Sequence, residues 1–251
     1  MIVANWKCNG SKAMIDEWFQ SYKKVVKNNG ICDGFIGIAP PTIFINEVYN
    51  QIKKNNLNID TISQDIAGYT RKFTGAISAD MLLESDAYSF CIVGHSERRI
   101  SYNEDNKIIQ DKIRECLSCD INPILCIGET EEENKHGKTK EILENQLSIL
   151  VNMAITDSLT IAYEPIWAIG SGKTPNPKDV NEIHKFIKDV VQSISTKNLA
   201  PLVLYGGSVT DKNSESFFGE EFVDGALIGG ASLDGTTFAK IVNIFNTTKK
   251  L

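Results

Sequence analysis

No apolar run in the 251-residue sequence approaches the roughly 18 residues of a membrane-spanning helix, so no helical membrane anchor is expected. A surplus of positive charge is missing as well: 26 Lys and Arg stand against 32 Asp and Glu, a net charge of −6. A broad nucleic-acid or anionic-membrane surface needs a basic face, so neither partner is expected. A small anion can still bind, but only through a locally positive pocket. Cysteine is present without a framework. Cys8, Cys32, Cys91, Cys116, Cys119 and Cys126 are scattered, which in a chain this long reads as free thiols in a reducing compartment. Cys116-Leu-Ser-Cys119 has CxxC spacing, but no second pair and no histidine cluster accompany it, so no metal site is expected there. Low-complexity tracts and linkers are absent, which implies one domain over residues 1–251. The opening MIVANWKCNG lacks the ordered basic and apolar segments of a signal peptide. It enters a strand-like run at once, which leaves room for a presequence removed upstream.

What is present is alternation. Short β-rich runs occur at 2–6, 35–39, 59–63, 90–94, 123–128, 159–164, 202–206 and 226–230. Most are continuously apolar, as parallel strands covered on their outer face should be. Between them lie amphipathic stretches. In Ser11–Asn28, Met14, Trp18, Tyr22 and Val25 recur at helical spacing. Residues 177–195 repeat the pattern behind a clear start, with Asn176 as N-cap and Pro177 at the first helical position. Further helices are expected from Thr139 to Leu150 and from Ser232 to Phe245. Eight strand–helix units joined by short links imply right-handed parallel crossovers. A closed (β/α)8 barrel fits the count and the length, with a doubly wound open sheet as the structural alternative. In a barrel, chemistry gathers where strands end and the following loops begin.

Five such places carry candidate residues. Asn5-Trp6-Lys7-Cys8 ends the first run, and a lysine there can aim an ammonium into the barrel mouth or simply face water. Val93-Gly94-His95-Ser96-Glu97 ends the fourth. Ser96 and Glu97 read as the first turn of a helix, so His95 sits near a positive helix end that disfavours the imidazolium. A neutral ring still donates one hydrogen bond, although a satisfied structural histidine fits equally. Tyr163-Glu164-Pro165 ends the sixth run. Burial of Glu164 under a closing loop would raise its pKa towards that of a base at neutral pH; a strand-end salt bridge is the alternative. Glycine pairs end the seventh and eighth runs: Gly206-Gly207-Ser208 and Gly229-Gly230. Their backbone N–H groups can approach an anion closely, or the glycines can serve ordinary tight turns.

The stretch AIGSGKTP resembles a P-loop only superficially. The glycine a nucleotide-binding loop needs five residues ahead of Gly172 is Trp167 instead, and Thr174 meets Pro175 rather than a helix. What remains is a mobile lid over residues 165–175.

Taken together, NWKCNG, VGHSERR, AYEPIWAIGSGKT, YGGSV and GGASL stand in the order and spacing of triosephosphate isomerase, and the resemblance covers essentially the whole chain. It implies the TIM-barrel fold and a glycolytic and gluconeogenic isomerase of a small phosphorylated triose, without cofactor or metal; a non-catalytic or other phosphate-binding barrel is the alternative. It implies Glu164 as the base, His95 and Lys7 as stabilisers of the enediolate, and Asn5 as an orienting residue. Ser96 and Glu97 support them, with Glu97 near the lysine. By the same resemblance, Gly170, Ser208, Gly229 and Gly230 would hold phosphate through backbone N–H groups. It further implies a cytoplasmic homodimer with Thr74 and Cys8 at the contact; an organellar form with a removed presequence stays open.

Departures from the family are concentrated. The first strand is shorter, which is expected to weaken barrel closure. Ser171 replaces a threonine in the lid tip, and Cys8 replaces a methionine beside Lys7. The loop Ile66–Ala76 is the least faithful: Arg71-Lys72 replaces Gly-Ala, and Ala76 replaces a glutamate that pairs in the family with the arginine matching Arg98. A looser or differently charged dimer interface is expected.

Overall fold

The computed structural model describes residues 1–26, 34–68, 73–84, 88–151, 153, 159–170, 172–195 and 200–249. Strands and helices alternate throughout. β1 (Ile2–Asn5) leads to α1 (Lys12–Val26), β2 (Ile36–Ala39) to α2 (Ile45–Lys54), and β3 (Asp60–Ser63) to the short α3 (Ala79–Leu83). β4 (Tyr88–Val93) is followed by α4 (Ser96–Ser101) and α5 (Asn106–Ser118), and β5 (Asn122–Ile127) by α6 (Glu131–Lys135) and α7 (Thr139–Leu147). β6 (Thr160–Tyr163) precedes α8 (Pro177–Ile194), β7 (Leu202–Tyr205) precedes α9 (Ser214–Phe218), and β8 (Ala226–Ile228) precedes α10 (Gly235–Lys249).

All eight strands pair in parallel in sequence order, and β8 returns to β1, so the sheet closes into a barrel. The open-sheet alternative is thereby excluded. Closure is not weakened at the first strand, contrary to expectation. Four residues of β1 pair with β2 and three with β8. The backbone of Met1 extends the seam, its carbonyl accepting from Ala226 N at 3.1 Å. Apolar continuity along the strands follows from burial on both faces. Val3, Ala39, Ile62, Ile92, Ile124, Ala162, Leu204 and Leu227, one from each strand, fill the interior. Their neighbours Ile2, Ala4, Ile36 and Ile38 face outward onto Trp18, Phe238 and the other helix residues.

Helix starts follow local chemistry. Asn176 accepts from Lys178 N at 3.0 Å and opens α8. Thr130 and Glu133 form a reciprocal capping box on α6, an element too short to show periodicity. The expected final helix is split: Gly230–Leu233 form a 3-10 turn, and Asp234 then accepts from Thr237 N at 2.7 Å to start α10 afresh. The helix expected through Leu150 likewise tightens to a 3-10 turn at Ser148. Trp18 ties the C-terminal helix to the barrel rim. Its indole N–H donates to Ser232 O at 2.8 Å, and its ring stacks on Tyr22.

Candidate active site

Lys7, His95 and Glu164 stand one or two residues past the ends of β1, β4 and β6, hence on one rim of the barrel. With Asn5, Gly170, Ser208, Gly229 and Gly230 they line a single cavity of about 280 Å³. Eight residues scattered over 225 positions thus meet because parallel strands deliver their carboxyl ends to the same side.

Lys7 is held at three points. Its backbone takes the left-handed φ of 50°, uncommon for a residue with a Cβ. The N–H donates to Asn5 Oδ1 at 3.0 Å, and the carbonyl accepts from Gln64 Nε2 at 2.9 Å. The ammonium reaches Glu97 Oε1 at 2.6 Å. Asn5, buried in the rim, therefore acts first on the lysine backbone. Gln64, just past β3, received no role from the sequence; a polar side chain leaving a strand end was its one signal.

His95 caps α4 with its ring. Nδ1 accepts the Glu97 N–H at 3.2 Å, so a neutral ring carries its proton on Nε2. Nε2 lies 3.2 Å from Glu164 Oε1, and Glu164 Oε2 accepts from Ser96 N at 3.3 Å. Both side chains are buried. The expected pKa directions are reversed in this arrangement. Burial alone would push His95 down and Glu164 up, but their mutual contact outweighs it, raising the imidazole and lowering the carboxyl. A helix end does disfavour the imidazolium, but a carboxylate against the ring reverses the balance. Around Glu164 the walls are glycine by necessity. A Cβ on Gly128 would fall 1.8 Å from the Glu164 carbonyl oxygen, and one on Gly206 2.6 Å from its Cγ. Cys126 is buried in contact with the same carboxylate, and burial pushes its thiol well up, keeping it neutral.

The lid stem leaves directly from Glu164. Residues Ile166–Ala168 make a 3-10 turn, and the indole N–H of Trp167 donates to Glu129 Oε1 at 2.9 Å. Glu129 is fully buried and also accepts from Tyr163 OH at 3.1 Å. It was not singled out in the sequence, although it too is a carboxylate just past a strand. Ser208 Oγ donates to Ala168 O at 2.6 Å, so its hydroxyl holds the lid stem, and the residue also lines the cavity. Gly170 and Gly172 take φ of 63° and 73°, and Lys173 Nζ reaches Glu131 at 2.6 Å. Ser171 lies outside the described residues, as do Tyr69–Lys72 of the divergent loop and Cys32.

Thr74 and Cys8 are exposed and do not line the cavity, although Lys7 and Asn9 on either side of Cys8 do. Arg98, whose expected glutamate partner is replaced by Ala76, is satisfied within the chain by Asp65 at 2.9 Å and Glu104 at 2.7 Å. The five described cysteines are free thiols, and Cys116 is buried inside α5. Among the described residues, no three His, Cys, Asp or Glu side chains gather as a metal site would require, and no helix is long and apolar enough to cross a membrane.

The family model for triosephosphate isomerase matches residues 1–245. The chain belongs to the triosephosphate isomerase family. Its relatives include the triosephosphate isomerase of Buchnera aphidicola subsp. Schizaphis graminum, 43% identical over 97% of this chain and 96% of that one. Those of Erwinia tasmaniensis and Proteus mirabilis are each 37% identical; the first covers 100% of this chain and 98% of its own length, the second 96% and 94%.

Proposed function

We propose that the chain interconverts dihydroxyacetone phosphate and glyceraldehyde 3-phosphate with Glu164 as the base, His95 and Lys7 as the electrophilic pair and residues 165–175 as the lid. The observation that carries this reading is the meeting of an ammonium, an Nε2–H imidazole and a buried carboxylate over one cavity backed by glycines. The carboxylate of Glu164 takes a proton from the carbon beside the substrate carbonyl. The C–H electrons form the C=C bond of an enediolate, and the carbonyl π electrons move onto oxygen. His95 Nε2–H and the Lys7 ammonium face that oxygen and stabilise its charge. The proton of the adjacent hydroxyl passes to that charged oxygen, and the new carbonyl forms on the oxygen it leaves. Protonated Glu164, whose proton exchanges with solvent, protonates the neighbouring carbon, so nothing else is consumed.

Phosphate occupies the end of the cavity formed by Gly170, Ser208, Gly229 and Gly230, held by backbone N–H groups. In the arrangement described, Glu164 is parked against His95 and Ser96. Because Pro165 and the lid stem follow it directly, movement of the lid over the phosphate carries the carboxylate from its parked position to the substrate carbon. Closure also removes water, which strengthens every charge interaction inside.

A cytoplasmic homodimer is part of the same reading. Phe73 and Met81 are each 62% exposed and share one surface hollow beside Ala76, an apolar face suited to a second copy. Light scattering at low concentration tests it, and a monomer would contradict it. For the chemistry, a coupled isomerisation assay on the chain and its Glu164→Gln variant is decisive. Rates that are equal in the two proteins would overturn the base assignment.

A further inference from the structure

Two of the three supports of Lys7 come from other parts of the barrel. Gln64, in the loop after β3, bonds both the Lys7 carbonyl at 2.9 Å and the Ala39 carbonyl at 2.8 Å. Glu97, in the first turn of α4, holds the ammonium at 2.6 Å. The neighbours of these two supports are bonded to each other. Asp65, next to Gln64, meets Arg98, next to Glu97, at 2.9 Å. Arg98 N also donates to His95 O at 2.8 Å, so the arginine belongs to the turn that carries the imidazole.

Asp65 is not free to swing. Its other oxygen bonds Lys112 at 2.6 Å, Lys112 bonds Glu104 at 2.6 Å, and Glu104 returns to Arg98 at 2.7 Å. Two acids alternate with two bases in a closed ring, and the Lys112 side chain is only 5% exposed. A charge pair inside such a ring has few alternatives, because any displaced partner is left desolvated.

We propose that Asp65 is a positioning residue for Lys7 and His95. Its bridge to Arg98 fixes the spacing between the β3 loop and α4, and so holds the ammonium and the imidazole on one substrate oxygen. The proposal rests on the roles assigned above to those two residues. It makes the support of the electrophilic pair internal to one chain.

The experiment compares steady-state kinetics and melting temperature of the parent, Asp65→Asn, the double variant Asp65→Asn with Lys112→Met, and Glu164→Gln. The double variant removes one acid and one base, so the ring stays neutral while the tie to Arg98 remains weakened. Misplacement of a catalytic group by about 1 Å costs on the order of 10²-fold, so kcat of Asp65→Asn is expected to fall at least about tenfold. KM is expected to stay within about threefold, since the phosphate glycines of β7 and β8 are remote from the ring. The double variant is expected to regain melting temperature but not kcat, and it supplies the reading by itself where the single variant folds poorly. Parental kcat in Asp65→Asn, or kcat recovering together with stability in the double variant, would overturn the positioning role alone if Glu164→Gln has lost activity. An unimpaired Glu164→Gln would overturn the site roles and the proposal with them.

Discussion

His95 Nε2 and Glu164 Oε1 lie 3.2 Å apart, so the two most reactive groups of the site hold one another before any substrate arrives. The contact keeps the carboxyl ionised against the pull of burial and keeps the imidazole proton on the nitrogen that faces the cavity. On the proposed mechanism, neither group is in its working position. The pair must part for the carboxylate to reach carbon, and each then returns to the influence of burial, which favours a stronger base and a neutral ring.

The pH profile should expose that coupling. Burial raises the Glu164 carboxyl, and replacing His95 by Gln removes the contact that most opposes it, leaving only the Ser96 N–H and the Lys7 charge against burial. The acid limb of kcat/KM in the free enzyme is therefore expected to move to higher pH in His95→Gln, alongside a loss of kcat. An acid limb that stays in place would show that the two groups do not titrate as a coupled pair.

His184 gives a stability prediction independent of catalysis. It is fully buried, its Nδ1 lies 3.3 Å from Phe222 O, and burial lowers its pKa from 6.5 to about 3. The unfolded chain binds a proton below about 6.5 that the folded chain refuses, so stability is full above that pH and declines as pH falls towards 3. Each pH unit in that window removes up to about 1.4 kcal/mol. Denaturant titrations between pH 7 and pH 5 should show this slope, and His184→Gln should flatten it. An unchanged slope would assign the acid sensitivity to other groups.

Ser208 links the loop after β7 to the lid stem through its bond to Ala168 O at 2.6 Å. One neutral hydrogen bond is worth about 1 kcal/mol, so Ser208→Ala is expected to raise KM for triose phosphate by about fivefold, with kcat changing less. The inhibition constant of inorganic phosphate should rise in parallel, because the same loop and lid grip the phosphate. A change in kcat alone would place the serine with the chemistry rather than the lid.

Much of this was legible in the sequence, for physical reasons. Continuous apolar runs mark parallel strands, and the polar residue that breaks each run marks the rim; Lys7, His95 and Glu164 were found that way. Gln64 and Glu129 satisfy the same rule and were passed over, because their importance lies in what they bond: the carbonyl of Lys7 and the indole of Trp167. Those partners are 57 and 38 residues away, and spacing says nothing about such distances. The direction of the His95 shift failed for a similar cause. A helix end is local and readable; a carboxylate arriving from another strand is not. Short elements such as α6 and α9 carry too few turns to show a period. The break before α10 depends on a single capping aspartate, Asp234.

The measurement that bears most directly on the central claim is solvent deuterium incorporation, followed by NMR, when the chain acts on dihydroxyacetone phosphate in heavy water. Proton abstraction by Glu164 through an enediolate predicts deuterium at the carbon that receives the proton in the aldose product, and at the carbon that lost it in recovered dihydroxyacetone phosphate, formed at a rate tied to turnover, and essentially none with Glu164→Gln. Isomerisation without any solvent label, or labelling at the parental rate in that variant, would contradict the account.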